Sequence, residues 1–306
     1  MSEADRVMAR AEYAAALAAG RSPDFGRAEI GTWVRVADQL VEEGELELGG
    51  FAVRRLYEAK PDLPWARNVA NLFDMMPAAD PHEPPFSDRS ATSIQTVARH
   101  GASTAVIVFC DSKQRIGMPL PMLHRWLSRW PVSLIYLRDL QGLGYLGGIG
   151  GLGPDLNSTL AGLKNEVAFL GAKRIVCYGH SIGGFGALRY GIELGADTVL
   201  CMAGLVNMKP SFNVGLNYGG AAARLNALFP DQPLDLRPLH QEAARPPKAL
   251  MVYAEHNWDD RLHAEHVAGL KDVSLIQVDG AQGHNVAVDL MRAGTYEQVM
   301  DQALGR

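Results

Sequence analysis

The sequence predicts an α/β protein: a mostly parallel central sheet flanked by helices, preceded by an all-helical N-terminal region. Three observations carry that prediction. From about residue 100 onward, short continuous apolar runs rich in Val, Ile and Leu alternate with longer helix-like segments. One of those runs passes through a tight Gly-rich turn directly into a helix. Before about residue 80, alanine, leucine and charged residues dominate, and β-branched runs are missing.

Taken in order, the first segment, MSEADRVMARAEYAAALAAG, has mixed charge and lacks the apolar block of a signal peptide. Residues 1–80 read as helical, with Gly20-Arg21-Ser22-Pro23 and Gly49-Gly50 as breakers. Trp33, Gly44 and Pro61 stand at the spacing of one tetratricopeptide (TPR) repeat, a helix–turn–helix unit. In that reading Trp33 packs in the first helix, Gly44 allows the turn and Pro61 stops the second helix. Gly49 stands where the repeat carries alanine, and only one unit is recognisable. A degenerate TPR-like unit and a plain helical appendage therefore both fit. A lone repeat must dock on something, so a protein partner reached through these helices is one expectation. Residues 77–90, PAADPHEPPFSDRS, combine proline with acidic residues and read as a linker, because proline fixes φ and lacks the amide hydrogen. Residues 81–100 then serve as linker and entry to the core, and 101–306 form the α/β domain.

Within that domain, strands are expected at residues 102–110, 132–137, 174–178, 196–203, 249–254 and 273–278. Helices are expected at PMLHRWLSRW, near 156–170, and in the Gly-rich stretch after residue 181. Apolar strands separated by amphipathic helices describe a parallel sheet covered on both faces, and in such sheets function gathers at the carboxyl ends of the strands. Residues 204–248 separate two strands and read as a small cap of mixed polarity.

The chemistry is expected at RIVCY-GHSIGG-FGALRYGIEL, a strand, a tight turn and a helix. Gly179-His180-Ser181-Ile182-Gly183 presents Ser181 as a nucleophile at the start of a helix, where free amide donors and the dipole favour an oxyanion. A bare GxSxG is weak evidence in a chain with 32 glycines, and the flanking strand and helix are what give it meaning. Such a serine needs a base, and the base needs a carboxylate, in the chain order Ser, acid, His. His284, in VDGAQGHNV after the last strand, is the candidate base. The strand at 249–254 is followed by EHNWDDRLHAEHV, which offers Glu255, Asp259 and Asp260 as acids. Either Asp259 or Asp260 can instead cap the following helix. His180 lies inside the turn and reads as lining or packing the site. The run from Gly142 to Gly153 contains a GxGxxG string, but no helix opens directly behind it, so it reads as a loop bordering the site through Gly144 and Tyr145.

The segment from about Thr104 to Leu290 resembles bacterial α/β-hydrolase-fold proteins, through the elbow GHSIGG, the late Gly283-His284 and the strand–helix order. More narrowly, VIVFC, IGMPL, WPVSLIYLRDL, GIGGLG, GHSIGGFGALRYG and DDRLHAEH look like a bacterial hydrolase-like subgroup. Some members of that subgroup carry helical or TPR-like N-terminal segments and occur beside surface-polysaccharide functions. The resemblance implies Asp260 as the acid, just before the Arg of a DRxHA stretch, with Asp259 as the alternative. It also implies hydrolysis of an ester, thioester or related acyl bond, with no cofactor. One oxyanion donor is then the amide of Ile182. This chain lacks the HGGG stretch of common esterases and carries Phe109-Cys110-Asp111-Ser112-Lys113 instead, so the second donor falls to the backbone of Asp111 or Ser112.

Composition narrows the remaining choices. A net charge of −5 gives no basic surface for nucleic acid, and no run of 18 apolar residues spans a membrane. Cys110, Cys177 and Cys201 form no CxxC and read as buried hydrophobes, and His263-Ala264-Glu265-His266 lacks the HExxH zinc spacing, so no metal is expected. The expected setting is cytoplasmic, and the expected substrate a small-molecule or saccharide-linked acyl compound. Three functions compete: a serine acyl-hydrolase, an acyltransferase using the same triad on a saccharide or alcohol, and a non-catalytic interaction protein.

Overall fold

The computed structural model describes residues 30–79 and 86–306, with residues 11, 12, 15, 16 and 19 of the first segment. The breaker expected at Gly20–Pro23 and the middle of the 77–90 stretch lie outside the described residues. Contacts divide the chain into two units, Met1–Asp88 with Pro119–Arg129, and Arg89–Met118 with Trp130–Arg306.

The first unit contains α1 (Ile30–Glu42), α2 (Leu46–Ala59) and α3 (Pro64–Met75). Trp33, Val36, Ala37 and Leu40 recur at helical spacing and form the buried face of α1. Gly44 makes the turn between α1 and α2 at φ +84°, and a side chain there would run into the Phe86 carbonyl. Pro61 follows the end of α2, and Pro64 opens α3 at a position where its missing N–H costs nothing. Gly49 and Gly50 do not break the helix as expected. They lie inside α2, buried, where a Cβ would press on Val41 and on the Phe73 ring, so they are sites of close helix approach. The helix expected at PMLHRWLSRW, α4 (Leu120–Leu127), groups with these helices and not with the sheet. Within the unit it meets α1, and its His124 ring stacks on Phe86 at 4.3 Å.

The second unit is built on seven strands: β1 (Ile94–Val97), β2 (Thr104–Phe109), β3 (Ser133–Leu137), β4 (Arg174–His180), β5 (Thr198–Met202), β6 (Lys248–Ala254) and β7 (Val273–Val278). Their order is β1-β3-β2-β4-β5-β6-β7, with every pair parallel except β1 against β3. The strand β1, not among those expected, is a four-residue edge strand, half-buried throughout. Arg138, fully buried at the end of β3, holds this edge by donating to the Thr92 carbonyl and the Gln95 side chain. Between strands run α5 (Leu156–Phe169), α6 (Ile182–Leu194), α7 (Gly219–Leu228), α8 (Leu236–Glu242) and α9 (Trp258–His266). The chain closes with α10 (Val286–Arg292) and α11 (Tyr296–Leu304).

The helix α6 leaves the centre of the sheet and packs on β4, β5 and β2. Its residues from Gly183 to Gly191 are buried all round, so it shows no polar stripe. Burying a side chain the size of Phe185 stabilises the fold by about 2–3 kcal/mol relative to leaving it exposed. All three cysteines are buried, and burial pushes the thiol of Cys201 up to about 12. Among the described residues no helix is long and apolar enough to cross a membrane.

Candidate active site

The chain reverses sharply between β4 and α6, and Ser181 is the residue on which it turns. Its backbone sits at φ +57° and ψ −125°, a conformation that costs a non-glycine residue on the order of 1–3 kcal/mol. The surroundings impose it. Ser181 donates its amide to the Met202 carbonyl (3.2 Å), and its own carbonyl accepts from Gly184 (2.9 Å) and Leu205 (3.0 Å). Gly183 permits the approach to β2, since a Cβ there would lie 2.1 Å from the Phe109 oxygen.

His284 is half-buried on the loop between β7 and α10, and Asp260 is buried in the first turn of α9. The His284 Nδ1 donates to Asp260 Oδ1 at 2.7 Å. With Nδ1 carrying the proton, Nε2 keeps its lone pair. Burial pushes the Asp260 carboxyl up, and the hydrogen bond and charge of His284 act against that rise. Asp259, one position earlier, points about 100° away around the helix. Its carboxylate accepts from the amide (3.1 Å) and side chain (2.7 Å) of Asn217 instead. Ser181 Oγ makes no hydrogen bond to His284 in the described structure.

A cavity of about 370 Å³ opens over Ser181. Leu205, Met208, Leu225 and Ile182 give it apolar walls, Ser112 and Asp139 line it, and Tyr218 and Arg224 close it from the cap side. The Ile182 amide opens α6, where a helix has donors without intrahelical acceptors. Of the two residues expected to supply a second oxyanion donor, Asp111 is ruled out. Its amide already donates to the Arg115 carbonyl at 2.7 Å. The Ser112 amide, beside it on the cavity wall, has no acceptor among the described residues.

The Asp111 side chain instead organises its loop, accepting from the amides of Lys113, Arg115 and Gly117 and from His180 Nδ1 at 3.1 Å. Burial works to raise its pKa, but the His180 hydrogen bond and charge, with the Gly117 and Arg115 amides, bring it down to about 2. His180 Nε2 donates to the backbone oxygen of His284 at 3.0 Å. The Asp111 carboxylate and the His284 carbonyl together engage both ring nitrogens of His180. Of the two readings of His180, lining or packing the site, the contacts fit packing: both nitrogens are engaged by the chain itself, and the ring lies 4.9 Å from that of His284. Gly144 and Tyr145 do line the cavity. Tyr145 is buried, and its hydroxyl donates toward the carbonyls of Cys110 (2.7 Å) and Leu137 (3.1 Å), fixing the loop under Ser112.

Tyr218, not singled out from the sequence as a site residue, stands with its hydroxyl 3.4 Å from both ring nitrogens of His284. It lies 66 residues away in the chain, and no spacing signals it. The other histidines serve elsewhere. His263 Nδ1 accepts from the Val206 amide at 3.3 Å, burial and then His266 take its pKa down to about 4, and His266 bonds Asp235 at 2.8 Å. Among the described residues no group of His, Cys, Asp and Glu could hold a metal ion.

With this strand order, elbow and cap, the second unit has the α/β-hydrolase fold. Structurally the chain is similar to MenH from S. aureus, at 14% identity over 68% of this chain and 99% of that one, with a TM-score of 0.43. It is also similar to butyrate-bound Est2, a thermophilic esterase from the Planctomycetes species Thermogutta terrifontis, at 13% identity, 69% and 88% coverage, and a TM-score of 0.48. No family model matches the chain, and no curated protein matches it.

Proposed function

We propose that this protein is a serine hydrolase that cleaves an ester or related acyl bond through Ser181, His284 and Asp260. The observation that carries the reading is the 2.7 Å contact of Asp260 with His284 Nδ1, made beside an elbow that holds Ser181 at a left-handed φ. Asp260 keeps the imidazole in the tautomer whose Nε2 takes the Ser181 proton. Ser181 Oγ attacks the acyl carbon, and the oxygen charge that develops is met by the amides of Ile182 and Ser112. His284 returns the proton to the leaving group, the old acyl bond breaks, and water then releases the acid by the same route. The apolar cavity walls suit a small or medium acyl group.

Labelling with a fluorophosphonate probe tests the reading. The wild type is expected to label, and Ser181→Ala and His284→Ala are expected not to. A folded wild type that stays unlabelled and cleaves no ester would remove the proposal.

A further inference from the structure

The cap segment that carries Tyr218 is clasped to the helix that carries Asp260. Asn217 gives both its amide and its side-chain nitrogen to Asp259 Oδ2, at 3.1 and 2.7 Å. Behind it, the buried Asn213 side chain donates to the carbonyls of Asn207 and Lys209, each at 2.9 Å, which fixes the start of the same segment. The clasp holds the Tyr218 ring against His263 and His284, at centroid distances of 5.9 and 6.0 Å. The hydroxyl is equally far from the two nitrogens of His284, so it lies off the in-plane direction of the Nε2 lone pair, which stays available for the Ser181 proton.

The leaving oxygen of a substrate must come within hydrogen-bond reach of Nε2, because that nitrogen returns the serine proton to it. A hydroxyl 3.4 Å from Nε2, on the wall of the cavity that holds Ser181, therefore lies beside that oxygen. The oxyanion donors of that reading, Ile182 and Ser112, belong to other elements lining the same cavity, α6 and the loop after β2. Burial, followed by the charges of Asp260 and Asp259, pushes the Tyr218 phenol well above its usual range, so it remains a proton-bearing donor.

We infer that Tyr218 is a catalytic residue that donates a hydrogen bond to the leaving alcohol oxygen, and that Asp259 and Asn217 are the positioning residues that hold it there. The inference rests on the serine-hydrolase reading and deepens it. It names esters of unactivated alcohols as the substrate class, since an alkoxide leaving group gains from a donor that an acidic phenol scarcely needs. In acylation the Ser181 Oγ–acyl bond forms and the acyl–oxygen bond breaks. The proton passes from Ser181 through His284 to the leaving alcohol, while Tyr218 keeps its own. In deacylation the same hydroxyl orients the attacking water, which supplies the second oxygen of the acid.

The experiment compares kcat/KM for ethyl and p-nitrophenyl propionate, which share an acyl group and differ in leaving group. Tyr218→Phe is expected to lower both, but the ethyl ester on the order of 10-fold more than the p-nitrophenyl ester. A substitution that merely loosened the cap would lower the two alike, and an unchanged ratio would overturn the assignment. If Tyr218→Phe loses its melting transition, the same ratio is read in Asn217→Ala, at an exposed site, where a shift in the same direction supports the clasp and none overturns it. A folded wild type that neither labels with fluorophosphonate nor cleaves either ester removes the underlying hydrolase reading, whereas labelling with an unchanged ratio removes only Tyr218.

Discussion

Asp259 and Asp260 are adjacent, share a helix turn and differ in what they face. Asp260 is buried against His284 and Asp259 reaches the cap, so their loss should have unequal effects. Asp260→Asn is expected to lower kcat about 10³- to 10⁴-fold, because an amide favours the wrong tautomer of His284. Asp259→Asn leaves that tautomer intact, and its expected loss is at least 100-fold smaller on the same p-nitrophenyl ester. Steady-state rates of the two variants, each checked for folding by circular dichroism, decide this. Equal losses would count against Asp260 as the acid. From the sequence, both positions were open until resemblance favoured one, because whether a carboxylate turns inward depends on where its helix packs. Ser181 and His284 were readable as candidates because each rests on local glycine-bearing turns and chain order. Tyr218 was not, since its meeting with His284 exists only once the cap is folded over the sheet. Asp111 was misread as an amide donor because nothing in FCDSK signals that its N–H turns back to Arg115.

At the scale of elements, the position of α6 decides where the Ile182 amide, the proposed oxyanion donor, points. Its first turn comes so close to the end of β2 that only a glycine fits at position 183. Gly183→Ala forces the helix away from the Phe109 carbonyl, which should cost about 1–3 kcal/mol of stability and draw the Ile182 amide out of line. Urea unfolding and fluorophosphonate labelling rates are both expected to fall short of wild type. A variant with wild-type midpoint and labelling would show that the approach is less constrained than the backbone contacts indicate. The same packing explains why the sheet was legible. Strands β2 to β6, buried almost throughout, read as continuous apolar runs, and the elbow declares its own strand and helix. The edge strand β1 has four half-buried residues and too little hydrophobic pattern to stand out. Gly49 and Gly50 look like breakers by propensity, but tertiary contact with Val41 and Phe73 makes their small size the reason the helix continues.

Across the second unit as a whole, one buried hydrogen-bonded pair ties together segments far apart in the chain. Asp111 binds His180 across 69 residues, and His180 binds the His284 carbonyl across 104, so the loop after β2, the elbow and the loop of His284 share one hydrogen-bonded chain. That link makes stability depend on pH in a direction the geometry sets. The Asp111 carboxyl is held at about 2 against an ordinary 3.8, so the folded state favours its charged form. The stabilisation is fully present above about pH 4 and is lost as pH falls through about 2. The shift corresponds to on the order of 2 kcal/mol. Asp111→Asn cannot lose what it never had, so the gap in unfolding free energy between wild type and this variant should narrow by about that amount between pH 5 and pH 2. Urea titrations of both proteins at stepped pH measure the gap directly. A gap that stays constant over the window would mean that Asp111 keeps its ordinary affinity for protons, and that the chain from Asp111 to His284 is held by packing and not by charge.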